Sequence, residues 1–235
     1  MHAGILGGAP GPLPLWTRRT SALPSVGPVH NRRMDVFRAD LTDEIAAVAA
    51  RFVVEEGLEY AAAKRQAGKQ LGLPARTPWP DNAAMDAAVR EYIAVFCPDT
   101  QAAELQALRE LALVWMERLG EFRPHLGGAV WHGTATRHSD IYIQLFCDDP
   151  KSAELALLDH RVDYHPGSVT GWRGETVDAL TLRGRCDALS QWVLVHLMVH
   201  DLNDLRGALK PDSQGRKPRG DAQALRALLA RESTT

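Results

Sequence analysis

The chain has 235 residues, 45% of them apolar and 24% charged, the proportions of a globular protein of one or two domains. A net charge of −2 gives no electrostatic case for nucleic acid as a partner, and no apolar run approaches the roughly 20 residues needed to span a bilayer. Cys97, Cys147 and Cys186 are odd in number, widely spaced and without C-x-x-C, which argues against a disulfide framework or a cysteine metal site and fits a reducing cytoplasmic compartment.

Residues 1–33 are rich in Gly, Pro and Ser and lack apolar periodicity. They read as a disordered tail, or as upstream sequence ahead of a true start at Met34. A helical region is expected over 34–124. Phe37, Leu41, Ile45, Val48 and Phe52 form one apolar stripe, and Gly57 is its C-cap candidate. A second helix, about 58–71, carries Tyr60, Ala63, Ala67 and Leu71, with Gly72 closing it. Three prolines between Pro74 and Pro80 forbid a continuous helix there. A third helix runs over about 83–96. A fourth, about 101–122, is the longest, with Leu105, Leu108, Ala112, Trp115, Leu119 and Phe122 as its stripe; Pro124 ends it.

The stretch from Leu126 to Cys147 reads as strand, glycine turn and strand. Ala129 to His132 is a short apolar run between glycines, expected as a buried strand that Gly133-Thr134 breaks. From Asp140 to Cys147 the chain alternates. Ile141, Ile143, Leu145 and Cys147 fall on one face; Asp140, Tyr142, Gln144 and Phe146 fall on the other. Asp149-Pro150 is a helix start, Asp at N-cap and Pro at N1, with Ala153, Leu157 and Leu158 as apolar positions. Strands are expected near Val162–His165, over Thr176–Leu182 and over Trp192–His200, with a glycine-rich turn through Gly167, Gly171 and Gly174. A basic Gly/Pro loop over 207–220 and a helix over 221–231 complete the chain. Helices first and strands afterwards give an α+β class: an N-terminal helical region packed on a small mixed sheet at 125–206, with the loop and helix of 207–235 at the end.

The segment Gly133-Thr134 followed by Ser139-Asp140-Ile141-Tyr142-Ile143 resembles the signature of the polymerase-β-type nucleotidyltransferase superfamily. There a strand ends in Gly-Ser or Gly-Gly, and Ser-Asp-apolar-Asp-apolar follows on the next strand. The resemblance implies a nucleotidyltransferase-like sheet and a nucleoside triphosphate bound with Mg²⁺. Gly133 and Thr134 would cradle its phosphates, with Arg137 and Ser139 beside them. Asp140 would be a catalytic and metal-binding carboxylate, and Asp178, on the Thr176–Leu182 strand, its partner. Tyr142 stands where the signature has its second carboxylate, and a neutral phenol is a poor Mg²⁺ ligand. Two functions are implied: transfer of a nucleotidyl group to an unknown acceptor, or an inactive nucleotide- or protein-binding regulatory module. The chain also resembles small proteobacterial proteins with this motif, some described as muramate–alanine ligases. It has no G-x-x-G-K-[ST] loop, which an ATP-dependent ligase of that kind needs.

Nine histidines invite a metal, but His196 and His200 lack the Glu of H-E-x-x-H and sit on a strand-like run. Packing or hydrogen bonding is their simpler role. His132, His138 and Arg137 lie near the glycine turn, where a cation can meet phosphate.

Overall fold

The computed structural model describes residues 29–74, 76–171, 174–211 and 215–232, with side chains described from Leu41 onward. The chain divides into two units, 1–37 and 38–235. The described part of the first, 29–37, is helical. Of the segment read as a tail or a misassigned start, residues 1–28 lie outside the described residues; helix already begins at Val29, ahead of Met34. The second unit holds two apolar clusters, one among its first helices and one around its sheet.

Helix α1 (Val29–Glu56), α2 (Tyr60–Gln70) and α3 (Asn82–Phe96) contribute to the first cluster, in which Ile45, Ala49, Ala63, Ala67, Met85 and Val89 are wholly buried. The Asp81 carboxylate accepts from Ala84 N at 2.8 Å and caps α3. Gly57, at φ +68°, turns the chain out of α1, and a Cβ there would sit 2.2 Å from the carbonyl oxygen of His138. Only glycine allows that approach, and the 133–140 loop is thereby held against the end of α1.

The second apolar cluster belongs to the sheet. Helix α4 (Gln101–Arg118) lays Leu105, Leu108, Ala112 and Trp115 onto it, and a 3₁₀ turn at Gly120–Phe122 comes next. Then come β1 (His125–Gly127), α5 (Gly128–His132), β2 (Ile141–Cys147), α6 (Pro150–Asp159), β3 (Tyr164–Thr170), β4 (Thr176–Cys186) and β5 (Gln191–Asp201). A 3₁₀ turn, α7 (Leu205–Ala208), β6 (Gly220–Asp221) and α8 (Ala222–Glu232) end the described chain. The sheet has six strands in the order β3-β4-β5-β2-β1-β6. Among the described strands only β2 and β5 run parallel. The fold is α+β, with helices preceding a mixed sheet. Among the described residues no helix is long and apolar enough to cross a membrane.

Several sequence expectations change. Ala129–His132 is not a strand. Gly128, at φ +66°, turns the chain out of β1 into α5. That five-residue helix survives because its last carbonyls meet donors from α3 and α4: Arg109 reaches Val130 O and Trp131 O, Arg90 reaches His132 O, and Gln101 reaches Gly133 O. β3 continues through Pro166 and Gly167 because it is the sheet's edge, where a missing N–H costs no ladder bond. β4 runs on to Cys186. At Gly184 a Cβ would lie 3.0 Å from Trp115 Nε1, so glycine lets α4 settle onto the strand. Leu158 of α6 is exposed rather than packed.

Arg109 is 2% exposed and also pairs with Glu232 of α8. Glu232 is 42% exposed and adds little; the buried Val130 carbonyl and the partly buried Trp131 carbonyl matter more. Arg109→Met strands them, and at about 1–3 kcal/mol per unsatisfied buried group the loss should be roughly 2–5 kcal/mol in urea unfolding. Arg109→Lys should not rescue, because one ammonium cannot reproduce the guanidinium fork.

On the sheet face away from α4, Phe146 stacks on His200 at 5.4 Å and meets His125 edge-on at 5.5 Å. His200 is 4% exposed. Burial, helped by the charge of Arg219, pushes its imidazole from 6.5 down to about 4. Below pH 6.5 the unfolded chain takes up a proton that the folded one refuses, so stability falls as pH drops toward 4 and levels off below it. Replacing His200 with Gln removes this slope. Between pH 7 and 4.5 the wild type should lose about 2 kcal/mol more than His200→Gln, measured by urea midpoints.

Candidate functional site

One row of residues crosses the sheet: Gly127, Tyr142, His196, Thr181 and His165 are successive Cα partners on β1, β2, β5, β4 and β3. Their side chains take the face opposite α4, because Ile141, Ile143, Val195, Leu197, Leu180 and Leu182, one position away on each strand, belong to the core. A hydrogen-bonded chain is assembled along this row. An Asp140 oxygen lies 3.2 Å from His196 Nε2, and His196 Nδ1 lies 2.9 Å from Thr181 Oγ1. The Tyr142 ring stacks on the His196 ring, 4.8 Å between centroids and 20° between planes. Burial and a hydrogen bond to Glu59, the residue before α2, push the Tyr142 phenol up, so it stays protonated. His196 Nε2–H donates to the Asp140 carboxylate, which leaves Nδ1 as the acceptor for the Thr181 hydroxyl.

The expected metal pair is not assembled. Asp178 pairs with Val199, which pairs with Leu145, so it sits two strands across from β2 and level with a residue five positions beyond Asp140. That is about 16 Å along the strand. Parity separates the two further: Asp178 alternates with Leu180 and Leu182 on the core face, whereas Asp140 alternates with Tyr142 on the other. Two carboxylates on opposite faces cannot share a cation, so the residues do not fit the Mg²⁺ site that the sequence motif implied. Among the described residues no group of three or more His, Cys, Asp or Glu side chains is placed to hold a metal ion.

The glycine turn is closed as well. The N–H groups of Gly133 and Thr134 both return to Ala129 O. Thr134 is 3% exposed and its side chain hydrogen-bonds Tyr60. The carbonyls of Gly133 and Ala135 accept from Gln101, and Thr136 Oγ1 donates to Val54 O. A turn whose N–H groups are spent on its own helix offers no cradle for phosphate. The correction has one cause: the short run before the turn is helical, and a helix C-terminus directs carbonyls, not amides, outward.

Arg137 and Ser139 are placed differently. With His138 and Asp140 they line a cavity of about 250 Å³ against residues 191–194 of β5. Arg137 is exposed; its main-chain N–H donates to Glu104, and its guanidinium touches Gln191 at 3.4 Å. Beside this cavity stands Trp192, 55% exposed, with the guanidinium groups of Arg183 and Arg185 at 5.4 and 5.9 Å from its ring centroid. Sequence reasoning sets His196 aside as packing and does not single out Thr181, Arg183, Arg185 or Trp192. Alternation in Thr181-Leu182-Arg183-Gly184-Arg185 and in Trp192–His196 puts these on common faces, but which strands lie side by side is not written in either run.

A larger cavity, about 840 Å³, lies between the end of α4, the 123–125 loop and the start of α8. Its charged groups are largely satisfied among themselves. Arg226 pairs with Glu117 at 2.6 Å, Asp221 caps α8, and His125 Nδ1 donates to Arg123 O. The chemistry gathers at the smaller cavity and the row beside it. Comparison with protein-family models, with curated proteins and with solved structures finds no match to this chain.

The tautomer of His196 is a direct check on this geometry. Long-range proton–nitrogen correlation spectra should find the neutral ring protonated at Nε2 in the wild type. In Asp140→Ala the carboxylate that holds the proton there is gone, and the population of the Nδ1–H tautomer should rise. An unchanged tautomer in the variant contradicts the arrangement.

Proposed function

We propose that the protein binds a nucleotide on the open face of its sheet, where the β4–β5 hairpin meets the 137–140 loop. The observation that carries this reading is Trp192, more than half exposed and flanked by Arg183 and Arg185, next to a small polar cavity that Arg137 and Ser139 line. A flat apolar ring gives a base something to stack on, and guanidinium forks are the side chains best suited to phosphate oxygens. A cavity of about 250 Å³ suits a phosphate or a ribose rather than the base. The nucleotidyltransferase-like motif supports a nucleotide as the ligand class, with this difference: binding runs through arginine and tryptophan, not through the glycine turn or a pair of metal-bound carboxylates. The reading is therefore a nucleotide-binding module without a two-metal transfer centre.

A protein partner is the second reading. Trp192 and Leu194 leave apolar surface on this side of the sheet, as a docking surface does. Calorimetric titration separates the two. Nucleoside triphosphates should bind the wild type with or without Mg²⁺. Trp192→Ala should weaken binding roughly 5- to 150-fold, the equivalent of about 1–3 kcal/mol of lost stacking. Arg183→Gln should weaken binding and flatten its dependence on salt. No heat and no thermal shift with any triphosphate sinks the nucleotide reading and leaves the docking surface.

A further inference from the structure

The open face of β4 and β5 is a ladder with three functional rungs: Arg185 opposite Trp192, Arg183 opposite Leu194, and Thr181 opposite His196. First and last rungs are four residues apart, about 14 Å along the strands. That length is comparable to the reach of an extended nucleoside triphosphate from base to terminal phosphate. With the base on Trp192 and the phosphates passing Arg183, the terminal phosphoryl group arrives at the Thr181 hydroxyl.

That hydroxyl is the most elaborately prepared group on this face. It faces His196 Nδ1 at 2.9 Å, and the other ring nitrogen is held by Asp140 at 3.2 Å. Hydroxyl, imidazole and carboxylate in that order are a nucleophile, its base and the group that sets the base's tautomer. The side chains of His196 and Asp140 are 21% and 34% exposed, so water is available to both and internal satisfaction does not require the chain. Tyr142, stacked on the imidazole and tied to Glu59, fixes the plane of the ring.

We infer that Thr181 accepts the terminal phosphoryl group of the bound nucleoside triphosphate, with His196 as general base and Asp140 as the positioning carboxylate. The inference rests on the nucleotide-binding reading above. Thr181 Oγ forms a bond to the γ-phosphorus, and the bond from that phosphorus to the β–γ bridging oxygen breaks. The nucleoside diphosphate leaves with the bridging oxygen and its electron pair. The hydroxyl proton passes to His196 Nδ1 and from there to solvent, so hydroxyl plus triphosphate become phosphothreonine, diphosphate and one proton. Arg183, one rung away, meets the negative charge of the group in transit.

The test uses the whole chain with ATP labelled on its γ-phosphoryl group, and in a parallel arm on its α-phosphoryl group. Peptide mapping should find γ-label, and no α-label, on Thr181. Thr181→Val should abolish it, and Thr181→Ser should carry it on the serine. Asp140→Asn should slow labelling roughly 10²–10⁴-fold, the usual contribution of an oriented base. In His196→Ala, added imidazole should restore part of the labelling, a rescue that a merely structural role does not produce. Calorimetry on the same wild-type sample distinguishes the two ideas. Nucleotide binding without γ-label on Thr181 overturns this inference and leaves the binding reading standing. No nucleotide binding removes both. Label that persists in Thr181→Val, or α-label on the chain, also overturns the inference.

Discussion

The carbonyls at the end of α5 are the constraint on which the rest of this structure depends. A five-residue helix has too few internal bonds to stand alone, and its C-terminal oxygens must find donors from elsewhere. Arg109, Arg90 and Gln101 supply them from two longer helices. Arg109 does so while buried, and its third contact, to Glu232, brings the end of α8 into the same arrangement. Once α5 is fixed, the 133–140 loop has one path. It passes Val54 and Gly57 at the end of α1, takes Glu104 as an acceptor for Arg137 N–H, and enters β2 at Asp140.

That path decides which side of the sheet is available for chemistry. Helices α4, α6 and α8 cover the face carrying Ile141, Ile143, Val195 and Leu197. The other face is closed only in part. Phe146 and His200 are buried toward one end, whereas Trp192 and Leu194 are exposed toward the other. A gradient from apolar and buried to aromatic, cationic and open along the same strands is what a ligand lying along them would use. Asp140 enters beside this face next to His196, so the aspartate of the sequence motif ends as a partner of an imidazole.

Much of the fold is legible in the sequence because helix and strand periods are local properties. Asp149-Pro150 begins α6 with its carboxylate on Lys151 N, as the cap pattern requires. Gly57 closes its helix with positive φ. Trp115 lies against the sheet, as its place in the α4 stripe demands. The four residues Ala129–His132 escape a sequence reading because a short apolar run between glycines has no period of its own; donors far along the chain decide between strand and helix.

By itself the sequence determined the longer helices, the alternation of β2 and β5, and the α+β class, because each arises from spacing along a few residues. It also put Asp140 and Tyr142 on one face of one strand. Only the tertiary structure decided which strands are neighbours, and hence which residues share a face across strands. One residue of parity sends Asp178 to the core side and Thr181 to the side of Asp140. The candidate site, made of Asp140, His196, Thr181, Arg183 and Trp192, comes from two strands and the loop that enters a third, spread over more than fifty residues of chain. Its geometry depends on hydrogen-bond register between those strands, and register is a property of the pairing rather than of any one segment.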